Sequence, residues 1–297
     1  MAPKKPIEKA TFPHVVESAV ENGSEPEALY AALDLGTNSC RMLIAQSKGA
    51  QFHVIDSFAK SVQLGSGLEK TGKLSRDSMN RTIQALKVCK QKLDKYDVRY
   101  SRLIATEACR RAKNSKDFIL KVFQETGLKL NIIDTEEEAR LAVISCAPLV
   151  SSKSEQLLVV DIGGGSTELV WIDLSAVPSH ERPKSIMRLH SGFHSIESPF
   201  PAARVVDWIS VPLGVATLRD QFNDVEDDAA RFALMSWYFE EKLTDFAPYK
   251  DNKIDTSFQI IGTSGTVTTV ASSHLGLRRY DRTKVDGLRM TTDQIDK

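Results

Sequence analysis

The stretch "LLVVDIGGGSTELVWI", residues 157 to 172, decides how the rest of the chain is read. A run of aliphatic and β-branched residues ends at an acid, Asp161; three glycines, a Ser and a Thr follow, and a second acid, Glu168, opens another apolar run. Apolar runs on either side of a glycine-rich break predict strand, tight turn, strand. A Walker loop or a dinucleotide fingerprint must open directly into a helix, and the first also needs a Lys-Ser or Lys-Thr pair. Neither condition is met, so the turn belongs to a hairpin. Gly163, Gly164 and Gly165 are expected to take backbone conformations that a Cβ would resist. Their amides, and that of Ser166, then converge on an anion without a cationic side chain. The reversal also brings Asp161 and Glu168 to the same end. Two carboxylates beside a phosphate cradle repel phosphate unless a cation stands between them. Mg2+, which takes oxygen ligands and shares its sphere with phosphate and water, is the expected cofactor.

The same order of residues occurs a second time. "AALDLGTNSCRMLIA", residues 31 to 45, again runs apolar strand, Asp, aliphatic, Gly, small residues, Ser, second strand. One such turn is an ordinary tight hairpin with an Asp in it. Two copies roughly a domain apart predict two similar domains facing each other with their turns across a cleft. Asp34 then joins Asp161 and Glu168 as a metal candidate, and Gly36, Thr37, Asn38 and Ser39 join the phosphate candidates, with Arg41 just beyond the turn. A third glycine-bearing piece, "IIGTSGTVTTV", reads as a strand, a turn and a helix, so Gly262, Ser264 and Gly265 either offer amides to phosphate or simply connect the two elements.

The bulk numbers agree with two globular domains. The chain has 297 residues, 41% hydrophobic and 26% charged, enough for two ordinary cores. Its formal net charge is +0, so no global field draws it to nucleic acid or to a membrane, and a polyanion must be held by a local site. No apolar stretch has the length of a membrane span. Residues 1–27 lack the apolar block of a signal peptide and are expected to be a flexible tail. Cys40, Cys89, Cys109 and Cys146 are scattered, without metal-ligand or disulfide spacing, which fits reduced core residues of a cytoplasmic protein. Domain I is expected over residues 28–150 and domain II over 151–297.

Between the turns, "LSRDSMNRTIQALKVCKQKLDKY" predicts a helix capped by Ser75, "SRLIATEA" a short strand, and "NSKDFILKVFQETG" a helix stopped by Gly127. "LKLNIID" predicts a strand and "TEEEARLAVISCAPLV" a helix. The region from Ser175 to Trp208 has no assignable pattern. "VPLGVATLRDQF" and "DVEDDAARFALMSWYFEEKLTDF" read as helices. Thr291 with Gln294 resembles a capping box for a helix that starts where the sequence stops, the expectation for a truncated chain.

Five pieces, "DLGTNSCRMLI", "ATEACRRAKN", "EEEARL", "VVDIGGGSTELV" and "IIGTSGTVTTV", together resemble the exopolyphosphatase/guanosine pentaphosphate phosphohydrolase (Ppx/GppA) family of the actin, Hsp70 and sugar-kinase superfamily. The resemblance runs from about residue 30 to the end. It implies an α/β fold of two ribonuclease-H-like domains with the active site between them. It also implies Mg2+-assisted hydrolysis of the terminal phosphate of inorganic polyphosphate or guanosine pentaphosphate, with a homodimer as the expected assembly. Carried over, Glu138 matches the glutamate that activates water, Asp161 and Glu168 the acids of the metal and phosphate site, Gly163 and the Gly36 turn the phosphate-loop positions, and Arg110 a phosphate-holding cation. From the residues alone Glu138 has a second reading: Thr135 and Glu138 have capping-box spacing, and Glu137 is a rival for the base. Arg110 suits phosphate through its forked donors, whereas Arg111 and Lys113 read equally as a solvated cluster. A nucleotide-dependent kinase or ATPase of the same superfamily, and a non-catalytic sensor of guanosine tetra- or pentaphosphate, are the alternative functions.

Overall fold

A computed structural model of the chain describes residues 28–48, 51–193, 201–246 and 257–295. The expected tail, residues 1–27, lies outside them.

The first lobe is built on a five-stranded sheet: β1 (Leu29–Leu35), β2 (Ser39–Lys48), β3 (Gln51–Ser61), β4 (Tyr100–Ala105) and β5 (Asn131–Ile132), in the order β3-β2-β1-β4-β5. β1, β2 and β3 form an antiparallel meander, while β4 lies parallel to β1. A parallel neighbour requires a crossover, which α1 (Leu68–Thr71) and α2 (Arg76–Lys95) supply. Helix α2 starts where the sequence places it, since the Ser75 side chain accepts a hydrogen bond from the Ser78 amide. It buries Ile83, Leu86, Cys89 and Leu93 against the inward residues of β1 and β2, Leu33, Leu35 and Ile44. Alternation along β1 leaves Ala31, Leu33 and Leu35 facing that core, as a strand with one covered face requires. After β4 come α3 (Glu107–Arg111) and α4 (Ser115–Thr126); α4 ends at Gly127, whose φ of 70° is the left-handed helix stop that glycine takes at low cost.

The second lobe repeats the scheme with four strands: β6 (Gln156–Ile162), β7 (Thr167–Asp173), β8 (Arg204–Val211) and β9 (Phe258–Thr263), in the order β8-β7-β6-β9. Again the hairpin and its outer strand are antiparallel, and the strand on the other side of the central one is parallel. The helix α5 (Thr135–Ser145) follows β5 but packs Ala139 and Val143 with Leu157, Val159 and Val170 in the core of the second lobe. The remaining helices are α6 (Arg182–Met187), α7 (Val215–Gln221), α8 (Asp228–Lys242), α9 (Ser264–His274), α10 (Arg282–Val285) and α11 (Thr292–Ile295). Gln294 Oε1 accepts from the Thr291 amide at 2.9 Å, one half of the expected capping box.

Three local expectations change. "LKLNIID" forms only the two-residue β5, because just Asn131 and Ile132 find partners on β4. The unassigned region contains α6 and β8, and β8 carries the chain to Val211, so "VPLGVATLRDQF" becomes helical only from Val215.

Candidate active site

The two glycine turns are copies in hydrogen bonding as well as in sequence. The Gly36 amide donates to Ser39 O at 2.9 Å, and the Gly163 amide donates to Ser166 O at 2.9 Å. On the strands below, Asp34 stands opposite Arg41 and Asp161 stands opposite Glu168. One hairpin frame therefore carries an acid and a base pair of charges in the first lobe, and two acids in the second.

The turns meet each other. A Cβ added to Gly164 would lie 2.9 Å from Asn38 Cβ and 3.2 Å from the Asn38 amide nitrogen; one added to Gly165 would strike the Thr37 hydroxyl and come within 3.2 Å of Glu107 Cγ. None of Gly163, Gly164 and Gly165 takes a left-handed φ. The expectation that they supply special backbone angles is thus corrected: in this turn glycine supplies closeness between lobes. No phosphate fits between backbones in such contact unless the lobes part. At the rim of the contact a cavity of about 30 Å3 is lined by Thr37, Asn38, Gln63, Gly65, Thr217 and Arg219, among others.

The peptide groups of the second turn have a fixed orientation. The Val215 amide donates to Gly163 O at 3.2 Å and the Ala216 amide to Gly164 O at 2.9 Å, so the start of α7 holds two turn carbonyls. Gly214 permits this approach, since a Cβ there would sit 2.5 Å from Gly163 O. In a trans peptide the N–H points opposite to the C=O of the same plane. The amides of Gly164 and Gly165 consequently face away from α7. Among the described residues, the amides of Thr37, Asn38, Gly164, Gly165 and Ser166 donate to no protein acceptor.

Four acids lie beside this set of donors: Glu168 is buried, Asp161 and Glu138 are half-buried, and Asp34 is exposed. Asp34, though its side chain reaches the surface, has its carboxyl raised by the atoms crowded around it, with Asp161 adding to the shift and Arg41 opposing it. Asp161 is raised by burial against a hydrogen bond from Ser264 and the charge of Arg41. Glu138 is pushed up to about 7 by burial, opposed by Arg110 and reinforced by Asp34 and Asp161. Glu168, 2% exposed, is pushed up to about 8 by burial and by the neighbouring Glu138, while Ser210 Oγ, 2.8 Å away, donates to it and opposes the shift. The mutual effects place Asp34, Asp161, Glu138 and Glu168 in one electrostatic cluster drawn from both lobes.

Helix α5 holds its glutamates in different ways. Asp134, not Thr135, is the N-cap: its Oδ1 accepts from the Glu137 amide at 2.8 Å. Glu138 is one residue too far along to close a capping box, its own amide donating to Asp134 O at 3.1 Å, and the capping explanation for it falls. Glu137 is held by Arg102 at 2.6 Å and by Arg140 at 2.6 and 2.9 Å, and this pairing lowers its carboxyl. Glu138 is different. Arg110 Nη1 lies 2.6 Å from its Oε2, yet Nη1 donates to Ile133 O at 3.0 Å and Nη2 to Glu107 Oε2 at 2.9 Å. The contact is one of charge rather than an aligned hydrogen bond, and Glu138 Oε2 has no hydrogen-bond partner. Thr37 Oγ1, Arg110 Nε and Asp161 Oδ1 are likewise buried without partners. Each such group costs about 1–3 kcal/mol, and four of them gather where the lobes meet.

Other candidates separate. Arg41 Nη2 lies 2.8 Å from the position of a Cβ on Gly265, so it reaches across to the start of α9. Ser264 holds φ at 74°, a costly angle for a residue with a side chain, and from there bonds Asp161. Gly262 is accounted for by packing: a Cβ would meet Val267 Cγ1 at 2.9 Å. Arg111 is tied to Glu69 at 2.6 and 2.9 Å. Sequence reasoning missed Glu107, 6% exposed, which anchors Arg110; its i,i+3 spacing to that arginine was the available signal. It also missed Gly214 and Ser210, which act across tertiary contacts.

Among the described residues no three His, Cys, Asp or Glu side chains converge as a metal cage. Asp34 and Asp161 nonetheless fit Mg2+, which is commonly held by one or two carboxylates with water and phosphate completing its sphere; the unpartnered Asp161 Oδ1 is a free ligand atom.

Two lobes built on one strand scheme, joined at duplicated glycine turns over a cluster of acids, define the two-domain actin-like fold. The sequence matches the Ppx/GppA phosphatase family over residues 43–286. The chain belongs to that family. It is similar to a crystal structure of an Aquifex aeolicus family member, at 31% identity and a TM-score of 0.64, covering 91% of this chain and 77% of that one. An exopolyphosphatase from Cytophaga hutchinsonii shares the fold at 24% identity and a TM-score of 0.67, covering 84% of this chain and 70% of that one. A bifunctional 3-dehydroquinate synthase/phosphatase of Fusobacterium nucleatum is 28% identical over 288 residues, 90% of this chain but 37% of the relative. The chain thus spans well under half of that relative's length. Among the described residues no helix is long and apolar enough to cross a membrane.

Proposed function

We propose that the chain is a phosphoric anhydride hydrolase that releases orthophosphate from the end of inorganic polyphosphate, with guanosine pentaphosphate cleaved by the same chemistry. The observation that carries this reading is the set of unpaired amides at Thr37, Asn38, Gly164, Gly165 and Ser166, beside a half-buried glutamate whose Oε2 meets the charge of Arg110 without an aligned hydrogen bond. Amides so arranged bind an anion at fixed geometry. Glu138, lifted to about 7, is poised to take a proton near neutral pH.

In the proposed step the lobes part enough to admit the terminal phosphate at the turns. A water oxygen attacks phosphorus in line as the bridging P–O bond on the far side breaks. The water proton passes to Glu138, orthophosphate leaves, and the shortened chain keeps the bridging oxygen. Mg2+ at Asp34 and Asp161, when bound, neutralises phosphate charge against these acids. Arg110, held by Glu107 and Ile133 O, carries its charge beside Glu138 and the phosphate position. Phosphoryl transfer depends mainly on such positioning and charge compensation.

The test is phosphate release, with and without Mg2+, from long polyphosphate and guanosine pentaphosphate in parallel, without added nucleotide. Release from either supports the hydrolase. Strict dependence on ATP would support a kinase, and ligand binding without turnover a sensor. Glu138→Gln is expected to lower kcat by about 10²–10⁴-fold, the usual share of a general base, with substrate binding retained; unchanged turnover removes Glu138 from the mechanism.

A further inference from the structure

The glycine turns are not the only duplicated element. "VQLG", residues 62–65, and "VPLG", residues 211–214, share one pattern of Val, Leu and Gly. Each comes at the end of the outer strand of its lobe, just after β3 in the first and from the last residue of β8 in the second. Val62, Leu64, Val211 and Leu213 are all buried, so each piece is anchored in its own lobe. Polar contacts add to the anchoring. Arg81 donates to Val62 O at 3.2 Å and to Gln63 O at 3.4 Å, and Thr167 Oγ1 donates to Leu213 O at 2.7 Å.

Each piece braces the glycine turn of its own lobe by holding its carbonyls. In the first lobe the Gly65 amide donates to Thr37 O at 2.9 Å, and the Val62 and Gln63 amides donate to Asn38 O at 2.8 and 2.9 Å. In the second, Val215 and Ala216, directly after Gly214, hold Gly163 O and Gly164 O. By the geometry of the trans peptide, the Asn38 amide then faces away from one brace, and the Gly164 and Gly165 amides from the other. Asn38 and Gly165 have the same place in the two turns.

The two glycines permit this approach through their size, since neither takes a left-handed φ. A Cβ on Gly214 would lie 2.5 Å from both Gly163 O and the Gly165 nitrogen, and one on Gly65 would strike Thr37 Cγ2. Thr37 is gripped on both sides: its methyl faces Gly65, and its buried, unpartnered Oγ1 faces Gly165 of the other lobe. Every carbonyl contact of the braces stays within one lobe, so the amides keep their aim when the lobes part.

We propose that Gly65 and Gly214 are positioning residues, one behind each turn, that aim the turn amides and the Thr37 hydroxyl at the substrate phosphate. The inference rests on the hydrolase reading for its effect on turnover but not for its effect on phosphate binding.

The experiment compares Gly65→Ala, Gly214→Ala and a control, Gly67→Ala, in the full chain. Gly67 has a φ of 74° and nothing within 4 Å of an added Cβ, so the control strains the same segment without touching the turn. Tm is measured together with kcat and KM for phosphate release from long-chain polyphosphate. Affinity for long-chain polyphosphate is measured separately in the Glu138→Gln background. Gly65→Ala is expected to lower kcat and affinity about tenfold, and Gly214→Ala, whose methyl meets backbone, about 10²-fold. Gly67→Ala is expected to lower Tm alone. Thr37→Ser removes the methyl that the new Cβ would strike and keeps the hydroxyl. In that background Gly65→Ala is expected to cost less than about twofold, a coupling that general loss of stability does not produce. This cycle decides the matter if Gly214→Ala does not fold. Parental kcat and affinity in Gly65→Ala, an equal cost in both backgrounds, or equal losses in Gly67→Ala overturn the positioning role and leave the hydrolase standing. A parent that releases no phosphate overturns the hydrolase, and the same cycle measured as polyphosphate affinity then sustains or overturns the braces. A parent that neither binds nor hydrolyses polyphosphate overturns both.

Discussion

Arg41 and Glu168 occupy the same place in two copies of one hairpin. Each stands opposite the aspartate that ends the preceding strand, and each follows a turn closed by the same 2.9 Å hydrogen bond. The first copy is therefore charge-balanced, and the second gathers two acids whose carboxyls burial raises, Glu168 to about 8. Where the turns touch, the first contributes side chains, Thr37 and Asn38, and the second contributes their absence at Gly164 and Gly165. A duplicated scaffold has been divided so that one half presents contacts and a cation, while the other presents room and carboxylates. The proposed base, Glu138, comes from neither hairpin but from α5, the helix that leaves the first lobe and packs on the second.

The sharpest way to break this division is at the glycines. Gly165→Ala drives a methyl into Thr37 and forces the turns apart; misplacement of about 1 Å can cost about 10²-fold in rate. Gly36→Ala, whose Cβ would meet only Ser39 O at 3.6 Å, is expected to keep most of the parental kcat/KM. Equal losses in the two variants would show that the turns do not differ in this way.

A smaller effect lies in pH. Glu138 must be unprotonated to accept a proton, so turnover should rise with pH through about 7 and lose that limb in Glu138→Gln. Stability should run the other way. Glu168 is raised from 4.5 to about 8, so the folded state binds its proton more tightly than the unfolded state does. Its contribution is complete below 4.5 and lost as pH rises through about 8. Melting of the metal-free protein across that range should show a falling Tm, flattened in Glu168→Gln and not in Arg41→Gln, whose place in the other hairpin holds no buried acid. The smallest effect is at Ser264. Ser264→Gly relieves the strained φ of 74° and should stabilise by about 1 kcal/mol, read as a higher Tm, while removing the hydrogen bond that restrains Asp161.

Much of the fold was legible because its signals are local. The two hairpins, the Ser75 cap of α2 and the Gly127 stop of α4 each depend on a few adjacent residues, and the structure has all of them. β8 escaped notice because "RVVDWISV" interleaves charge with half-buried side chains on both faces, leaving no clean alternation. The cap of α5 was misplaced by one residue, since Asp134 and Thr135 can both cap and only backbone geometry chooses between them. That single residue changed the meaning of Glu138 from a cap to an acid whose one close partner is the charge of Arg110.

The sequence by itself determined the duplicated hairpins, the opposition of Asp161 and Glu168 across one of them, and the family to which the chain belongs, because period-two patterning and turn chemistry act over a few residues. Only the tertiary structure decided which glutamate of "EEEAR" is tied up in aligned hydrogen bonds and which meets only a charge. Arg102 and Arg140 hold Glu137, whereas Arg110 has its donors turned to Glu107 and Ile133. It also decided why three glycines stand in a row. Burial, charge and close approach are set by groups far apart in the chain, and they become definite only when the two lobes meet.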